Sequence, residues 1–258
     1  MSDTSTSIFD RVRALVAAQV PVAVGTVIRG EPLGAKFMVL PDGVEGSLGD
    51  PTLDADATAA ARELLAAERS ETRTFGETEV FFDIYPLAPH LIVFGAVHVA
   101  QPLADFAQRL GFRVSVIDAR AMLATRERFP NVEELLVAWP DDAYEQIEVG
   151  RNSWIAILTH DPKFDEPALL GALQTEARYI GAVGSRKTNA DRRERLRQAG
   201  VSEADIARIR GPIGLDIGGQ TPEEMAISIL GEIIAVKYGR GGGALAQATN
   251  GSIRGAAG

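Results

Sequence analysis

The chain has 258 residues, enough for one large domain or two ordinary ones, and its 46% hydrophobic and 24% charged content is typical of globular proteins. Its net charge of −9 opposes binding to the phosphates of nucleic acid, so we exclude a nucleic-acid partner. The absence of cysteine excludes disulfides, thiolate metal sites and a persulfide on this chain. Because the polar N-terminus lacks a signal-peptide pattern and no apolar run is long enough for a membrane helix, we expect a cytoplasmic protein without a membrane partner.

Residues 1–86 predict a small α+β domain. We predict helices at 8–20 and 51–69, and strands at 22–28, 36–40, 72–75 and 79–85. Pro41, Asp42 and Gly43 form a turn signal after the second strand, which indicates a hairpin. The stretch from Tyr85 to His90 contains two prolines and no periodicity, so it is our candidate linker.

Residues 87–238 predict a second domain of the α/β class, a Rossmann-type parallel sheet with helices on both faces, because strands alternate with helices. The predicted strands are 91–94, 113–117, 134–137, 154–158 and 178–183. The predicted helices are 99–110, 121–126, 143–147, 166–175, 186–199 and 222–238. Residues 239–258 are small, polar and rich in glycine, and we expect this tail to be disordered.

The turn after the first of these strands resembles a dinucleotide fingerprint. Gly95 supplies a tight turn ahead of a helix N-terminus, and a second strand ends about 20 residues later at Asp118, where an acid can bind a ribose hydroxyl. Val97 stands where a middle glycine normally lets phosphates approach the backbone. Two interpretations stay open: a nucleotide site, or a Rossmann turn that no longer binds nucleotide.

Two histidines follow strands that are neighbours in the usual strand order of this fold. His98 follows the first strand, and Thr159, His160 and Asp161 follow the fourth, at the switch point where ligands bind. We expect them to face one crevice and to serve anion binding or proton transfer, with a structural hydrogen-bonding role as the alternative. Their spacing specifies no metal site.

Two further segments are candidate binding elements. Gly184, Ser185 and Arg186 open a helix whose N-terminus and cationic side chain attract anions, or form only a capped helix with a solvated basic face. Gly214 and Asp216 lie in a glycine-rich segment before the last helix, for which structural and functional roles are equally open.

Several motifs in the same order along the chain resemble the XdhC/CoxI family. The N-terminal domain matches loosely, through residues 40–43 and 45–49. In the Rossmann domain the matching segments are Gly95–Ala100, Glu127–Pro130, Leu158–Asp161, Asp165–Leu169, Tyr179–Gly181, Gly184–Arg186, Pro212–Gly218 and Thr221–Glu224.

The resemblance implies an accessory protein for molybdenum hydroxylases such as xanthine or carbon monoxide dehydrogenase. Such a protein binds molybdenum cofactor, as molybdopterin or its dinucleotide form, helps a cysteine desulfurase to sulfurate it, and passes it to the apoenzyme. It is a carrier more than a catalyst. The chain departs from the family at Val97 and at residues 49–53, where relatives have a stretch like Gly-Gly-Cys-Val-Glu.

Two other functions remain open. One is an NAD(P)-linked oxidoreductase that binds its dinucleotide through Gly95 and Asp118, with His98 or His160 as acid–base. The other is an interaction module with a vestigial crevice. The apolar positions of the last helix suit either the core or a homodimer interface.

Overall fold

The computed structural model describes residues 8–247. The chain divides into two compact units, Met1–Ala88 and Pro89–Gly258. The first contains an antiparallel sheet in the order β3-β2-β1-β5-β4. Its elements are α1 (Ile8–Ala17), β1 (Val22–Arg29), β2 (Lys36–Leu40), β3 (Gly43–Gly46), α2 (Pro51–Ala66), β4 (Glu71–Phe75) and β5 (Thr78–Tyr85).

The alternation of side chains along β1 explains why this sheet carries a helix on each face. Ala23 and Val27 pack into the apolar cluster beneath α2, whereas Val22 and Val24 pack into the cluster beneath α1. The predicted α+β unit is therefore confirmed. Residues 43–46, for which we predicted no strand, form β3, because the turn at Pro41 returns the chain along β2.

The second unit is a six-stranded parallel sheet in the order β11-β10-β9-β6-β7-β8. The predicted Rossmann-type sheet is confirmed, with β6 beside β9 at the switch point. The elements are β6 (His90–Phe94), α3 (Ala100–Arg109), β7 (Arg113–Ile117), β8 (Glu134–Leu136), α4 (Pro140–Tyr144), β9 (Ser153–Ile157), α5 (Pro162–Leu173), β10 (Tyr179–Ala182), α6 (Arg186–Gln198), α7 (Glu203–Arg208), β11 (Ile209–Arg210), α8 (Pro222–Lys237) and a 3-10 helix (Leu245–Gln247).

Helices cover both faces of this sheet, which is why β6, β9 and β10 are buried at every position. One apolar cluster joins the sheet to α3 and α8, and the other joins it to α4, α5, α6 and α7. Ile229 and Ile233 of α8 are buried in the first cluster, whereas Met225 is 38% exposed.

Several sequence predictions are corrected. Residues 121–126 form turns, not a helix, because the Arg126 guanidinium donates to the Val132 carbonyl and ties this loop across itself. The linker is shorter than predicted, since Tyr85 ends β5 and His90 begins β6. The fourth helix begins earlier, at Pro140, and both α7 and β11 went unpredicted.

The tail that was expected to be disordered lies partly outside the described residues. Within it, residues 239–247 are described and end in the 3-10 helix, and a Cβ on Gly242 would lie 2.6 Å from Leu215. Gly242 therefore lies close to the Leu215 side chain, while every residue from 239 to 247 is exposed. Residues 248–258 lie outside the described part of the chain.

Candidate functional site

A cavity of about 600 Å³ opens at the carboxyl ends of β6, β7 and β9. This is the switch point of the sheet, because β6 and β9 are adjacent and their connections leave in opposite directions. Of the residues predicted from the sequence, Asp118, Thr159, His160 and Asp161 line this cavity. We call it the switch-point cavity.

Gly95 is required by the close approach of two strand ends. Its φ is +107°, and a Cβ there would lie 2.5 Å from Cγ2 and 3.1 Å from the backbone nitrogen of Thr159. Its N–H donates to the carbonyl of Ile117 at 2.7 Å. The glycine therefore lets β6 pass beside β9 while it remains bonded to β7.

The turn between Gly95 and α3 presents free backbone donors. Among residues 8–247, no acceptor is found for the N–H groups of Val97, His98 and Val99, although the carbonyls of Val97 and Val99 accept bonds from α3. Successive free N–H groups ahead of a helix are a common anion-binding arrangement. We call these three groups the turn donors. The side chain of Val97 lines the cavity beside them.

Asp118 is almost fully buried and its carboxylate is already hydrogen-bonded on both oxygens. One oxygen accepts from the backbone N–H and the Nε of Arg120, and the other accepts from the N–H of Ala96 and from Nη2 of Arg120. Burial opposes ionisation of this carboxyl, but these hydrogen bonds outweigh it and hold the pKa of Asp118 below its ordinary value. The group remains an anion paired with Arg120.

Trp139 and Phe164 form an aromatic wall of the cavity. Their ring centroids lie 5.9 Å apart, and Phe164 in turn meets the Phe94 ring edge-on. Trp139 is 51% exposed, so a large part of its ring faces solvent. An exposed indole held by a buried phenyl ring is a suitable stacking surface for a planar ligand.

Thr159 belongs to a buried polar network that supports the cavity. Its hydroxyl donates to Asp165, and Nη2 of Arg192 donates to the same carboxyl at 2.9 Å while Nη1 donates to the carbonyl of Val183 at 3.0 Å. Burial raises the pKa of Asp165 although both partners donate to it. Arg192 of α6, the helix for which one of our two interpretations was a solvated basic face, is only 2% exposed.

The two predicted histidines are in different positions relative to the cavity. His160 lines it at the end of β9, whereas His98 is exposed on the turn and does not line it. The expectation that both side chains face one crevice is therefore wrong, because His98 does not line the cavity.

The segment after β10 lies at the same edge of the sheet but does not line the cavity. Ser185 caps α6 by accepting from the N–H of Thr188 at 3.0 Å, and Gly184 has a φ of +125°. Arg186 is exposed and makes no ion pair within residues 8–247. Asp216 lines a separate, smaller cavity of about 220 Å³ beside α8.

Comparison with known proteins agrees with this fold. A family model described as the XdhC Rossmann domain matches residues 91–233, and one described as the XdhC and CoxI family matches residues 15–76. The chain belongs to the XdhC and CoxI family. The resemblance carried by the sequence motifs is thereby confirmed.

Relatives of this family member include two proteins that it matches only in part. It is 34% identical over 169 residues to "Uncharacterized protein YqeB" of Escherichia coli K12, covering 65% of this chain and 31% of that protein. It is 31% identical over 160 residues to a probable xanthine dehydrogenase component of Bacillus subtilis 168, covering 62% of this chain and 46% of that protein. The chain therefore spans less than half the length of these two relatives.

A third relative matches along most of its length. This is "Molybdenum cofactor insertion chaperone PaoD" of E. coli K12, 25% identical over 276 residues and covering 88% of this chain and 86% of that protein. A solved structure described as a xanthine dehydrogenase from Bacillus halodurans aligns with a TM-score of 0.56 at 21% identity, over 92% and 95% of the two chains. That similarity supports the fold alone.

Two family motifs prove to have supporting roles. Arg128, in the Glu-Arg-Phe-Pro motif, donates to the carbonyls of Ala96 at 2.7 Å and Leu123 at 2.8 Å. The first of these bonds fixes the residue that directly precedes the turn donors. Gly214 donates its N–H to Glu232 of α8 at 2.8 Å, and a Cβ there would lie 2.5 Å from Ser228. Arg128 thus holds the loop at the cavity edge of the sheet, and Gly214 holds its own loop against α8.

Arg120 and Trp139 are functional candidates that sequence reasoning missed. Each had a positional signal, since Arg120 follows the acid at the end of β7 by two residues and Trp139 precedes the proline that begins α4.

No helix among the described residues has the length and apolar character needed to cross a bilayer.

Proposed function

We propose that this protein binds molybdenum cofactor in the switch-point cavity, assists its sulfuration and delivers it to the apoenzyme of a molybdenum hydroxylase. The observation that carries the proposal is an exposed aromatic wall in the switch-point cavity together with the turn donors, which begin at the cavity-lining residue Val97. The likeness to a molybdenum cofactor insertion chaperone along most of both chains supports the same function.

The residues of the cavity suit the chemical groups of molybdopterin. Its flat pterin needs a stacking surface, which Trp139 offers, and its phosphate needs donors, which Val97, His98 and Val99 offer through the backbone. The cofactor supplies the oxygen-transfer chemistry of the hydroxylase once it is in that enzyme. This chain only binds, orients and shields it, as a carrier does.

Sulfuration in this proposal depends on a second protein. Because the chain contains no cysteine, it cannot itself hold a persulfide, and the sulfur has to come from a cysteine desulfurase. The Rossmann unit would present the cofactor, and the N-terminal unit would contact the partner enzyme.

The proposal is tested by ligand retention. The protein and three variants, Trp139→Ala, His160→Ala and Arg186→Ala, are purified without oxygen from molybdate-supplied cells, and released pterin is measured by fluorescence and mass. Loss of aromatic stacking is worth about 1–3 kcal/mol, so Trp139→Ala should retain about tenfold less pterin. Arg151→Ala, which removes an exposed ion pair with Glu176, is the control and should retain the wild-type amount.

Three outcomes would contradict the proposal. A wild-type protein without pterin, or equal retention by wild type and Trp139→Ala, would remove the cavity as the cofactor site. Bound NAD(P) in place of pterin would favour the oxidoreductase, for which Asp118 occupies the position of the ribose-binding acid.

A further inference from the structure

The carboxylate of Asp118 has the position of a ribose-binding acid but no free acceptor site. A carboxylate offers about four lone-pair positions, and four donors reach this one within 2.9 Å. They are the N–H of Ala96 and the N–H, Nε and Nη2 of Arg120. An acid that binds a ribose has to accept bonds from the sugar hydroxyls. Here those positions are filled from within the chain.

Two of these four bonds belong to the arginine side chain alone. Nε and Nη2 of Arg120 donate to Asp118 at 2.8 and 2.7 Å. The other two bonds come from the backbone N–H groups of Arg120 and Ala96 and do not depend on the arginine side chain. Removing the guanidinium would therefore free two acceptor positions, the number that a vicinal diol uses. The Arg120 side chain is 52% exposed at the cavity wall, where an arriving ligand meets it.

We infer that Arg120 is a specificity-determining residue that closes the switch-point cavity to nucleotides that would bind Asp118 through a free adenosine ribose diol. The inference rests on the proposed function, since it concerns the same cavity, and it gives the class of ligand that the cavity rejects. The turn donors and the aromatic wall remain open to a phosphate and a planar ring. A nucleotide such as NAD⁺, which needs the acid as well, has to displace Arg120 from two charge-assisted bonds.

The experiment measures binding of NAD⁺ and NADP⁺ to the full-length apoprotein by calorimetry. These two probes differ at the 2′ position of the adenosine ribose, where NADP⁺ carries a phosphate and lacks the diol. Arg120→Ala and Arg120→Gln are compared with wild type. The matched control is Arg113→Ala, which removes an equally bidentate pair, with Glu133, at the opposite end of the same strand.

Each freed bond to a charged acceptor corresponds to roughly ten- to a hundredfold in affinity. We expect Arg120→Ala to bind NAD⁺ at least about tenfold more tightly than wild type, with no comparable gain for NADP⁺. The double variant Asp118→Asn, Arg120→Ala should lose the gain, and Arg113→Ala should show none. Far-UV circular dichroism of each variant checks that it is folded.

Unchanged NAD⁺ affinity in folded Arg120→Ala and Arg120→Gln would overturn the inference. An equal gain for NADP⁺ would overturn it as well, because that ligand has no adenosine diol for the freed carboxylate. Both results concern the protein without pterin. They are therefore distinguishable from failure of the proposed function, which retention of pterin by the wild-type protein decides separately.

Discussion

His90 should make the stability of the Rossmann unit depend on pH. It is the first residue of β6 and only 4% exposed, and its Nε2 lies 2.7 Å from the hydroxyl of Ser115. Burial, and after it the charge of Arg113, lowers the pKa of His90 from 6.5 to about 4. An imidazolium is therefore disfavoured in the folded protein but not in the unfolded chain.

The direction of the effect follows from proton binding. Between pH 6.5 and 4 the unfolded chain takes up a proton at this site that the folded protein does not. Stability is thus fully present above pH 6.5 and is lost as the pH falls toward 4. For this shift the linkage relation gives a loss of about 2 kcal/mol between pH 8 and pH 5.

Urea denaturation at the two pH values tests this prediction. In His90→Gln, which removes the titrating group, the difference in unfolding free energy between pH 8 and pH 5 should be smaller by about 2 kcal/mol. The chain has three histidines, and the other two, His98 and His160, are exposed. Their glutamine variants are controls for the effect of a histidine-to-glutamine substitution at an exposed position. The same pH dependence in wild type and His90→Gln would refute the reasoning.

Three further predictions concern stability. Arg192→Met should lower the unfolding free energy, measured by urea titration, by about 3–5 kcal/mol because it leaves Asp165 buried without its cation. Adding Asp165→Leu should recover part of that loss, because it removes the unpaired carboxylate. A loss under about 1 kcal/mol for Arg192→Met would contradict this. Thr221→Ala removes the side chain that caps α8 in a capping box and should cost about 1 kcal/mol by thermal denaturation, whereas an unchanged Tm would show that the cap contributes nothing. Gly95→Ala should lower the unfolding free energy more than Gly111→Ala does, because both glycines have a positive φ but only Gly95 lacks space for a Cβ. Equal losses of unfolding free energy in the two variants would count against the close approach of Gly95 to the end of β9.

The sequence predicted every strand of the parallel sheet except β11. Alternating strands and helices predicted the parallel order, and that order places His160 at the cavity, whereas His98, which we expected beside it, does not line the cavity. The sequence predicted less about the loops, which have no periodic pattern of apolar residues. The loop that follows β7 is held by Arg126, which donates to the Val132 carbonyl across the loop, and by Arg128, which donates to the distant carbonyl of Ala96; no local pattern predicts such bonds.

Two arginines, Arg192 and Arg120, show a second limit of the sequence. Arg192 lies among several arginines on α6, yet its side chain enters the core because Asp165 of α5 lies there. Arg120 likewise depends on a partner that only the carboxyl end of β7 supplies. Pairing across elements is decided by tertiary geometry, so residue type and spacing alone could not identify either role.

Hydrogen–deuterium exchange at the turn donors tests the central claim most directly. Protein copurified with cofactor is compared with the same protein after the cofactor is removed, and exchange of the Val97, His98 and Val99 amides is followed. These N–H groups have no acceptor within the described residues, so they should exchange quickly without ligand and markedly more slowly with it. Unchanged exchange at these three amides in a protein that demonstrably carries pterin would contradict the claim that this turn binds the phosphate of the cofactor.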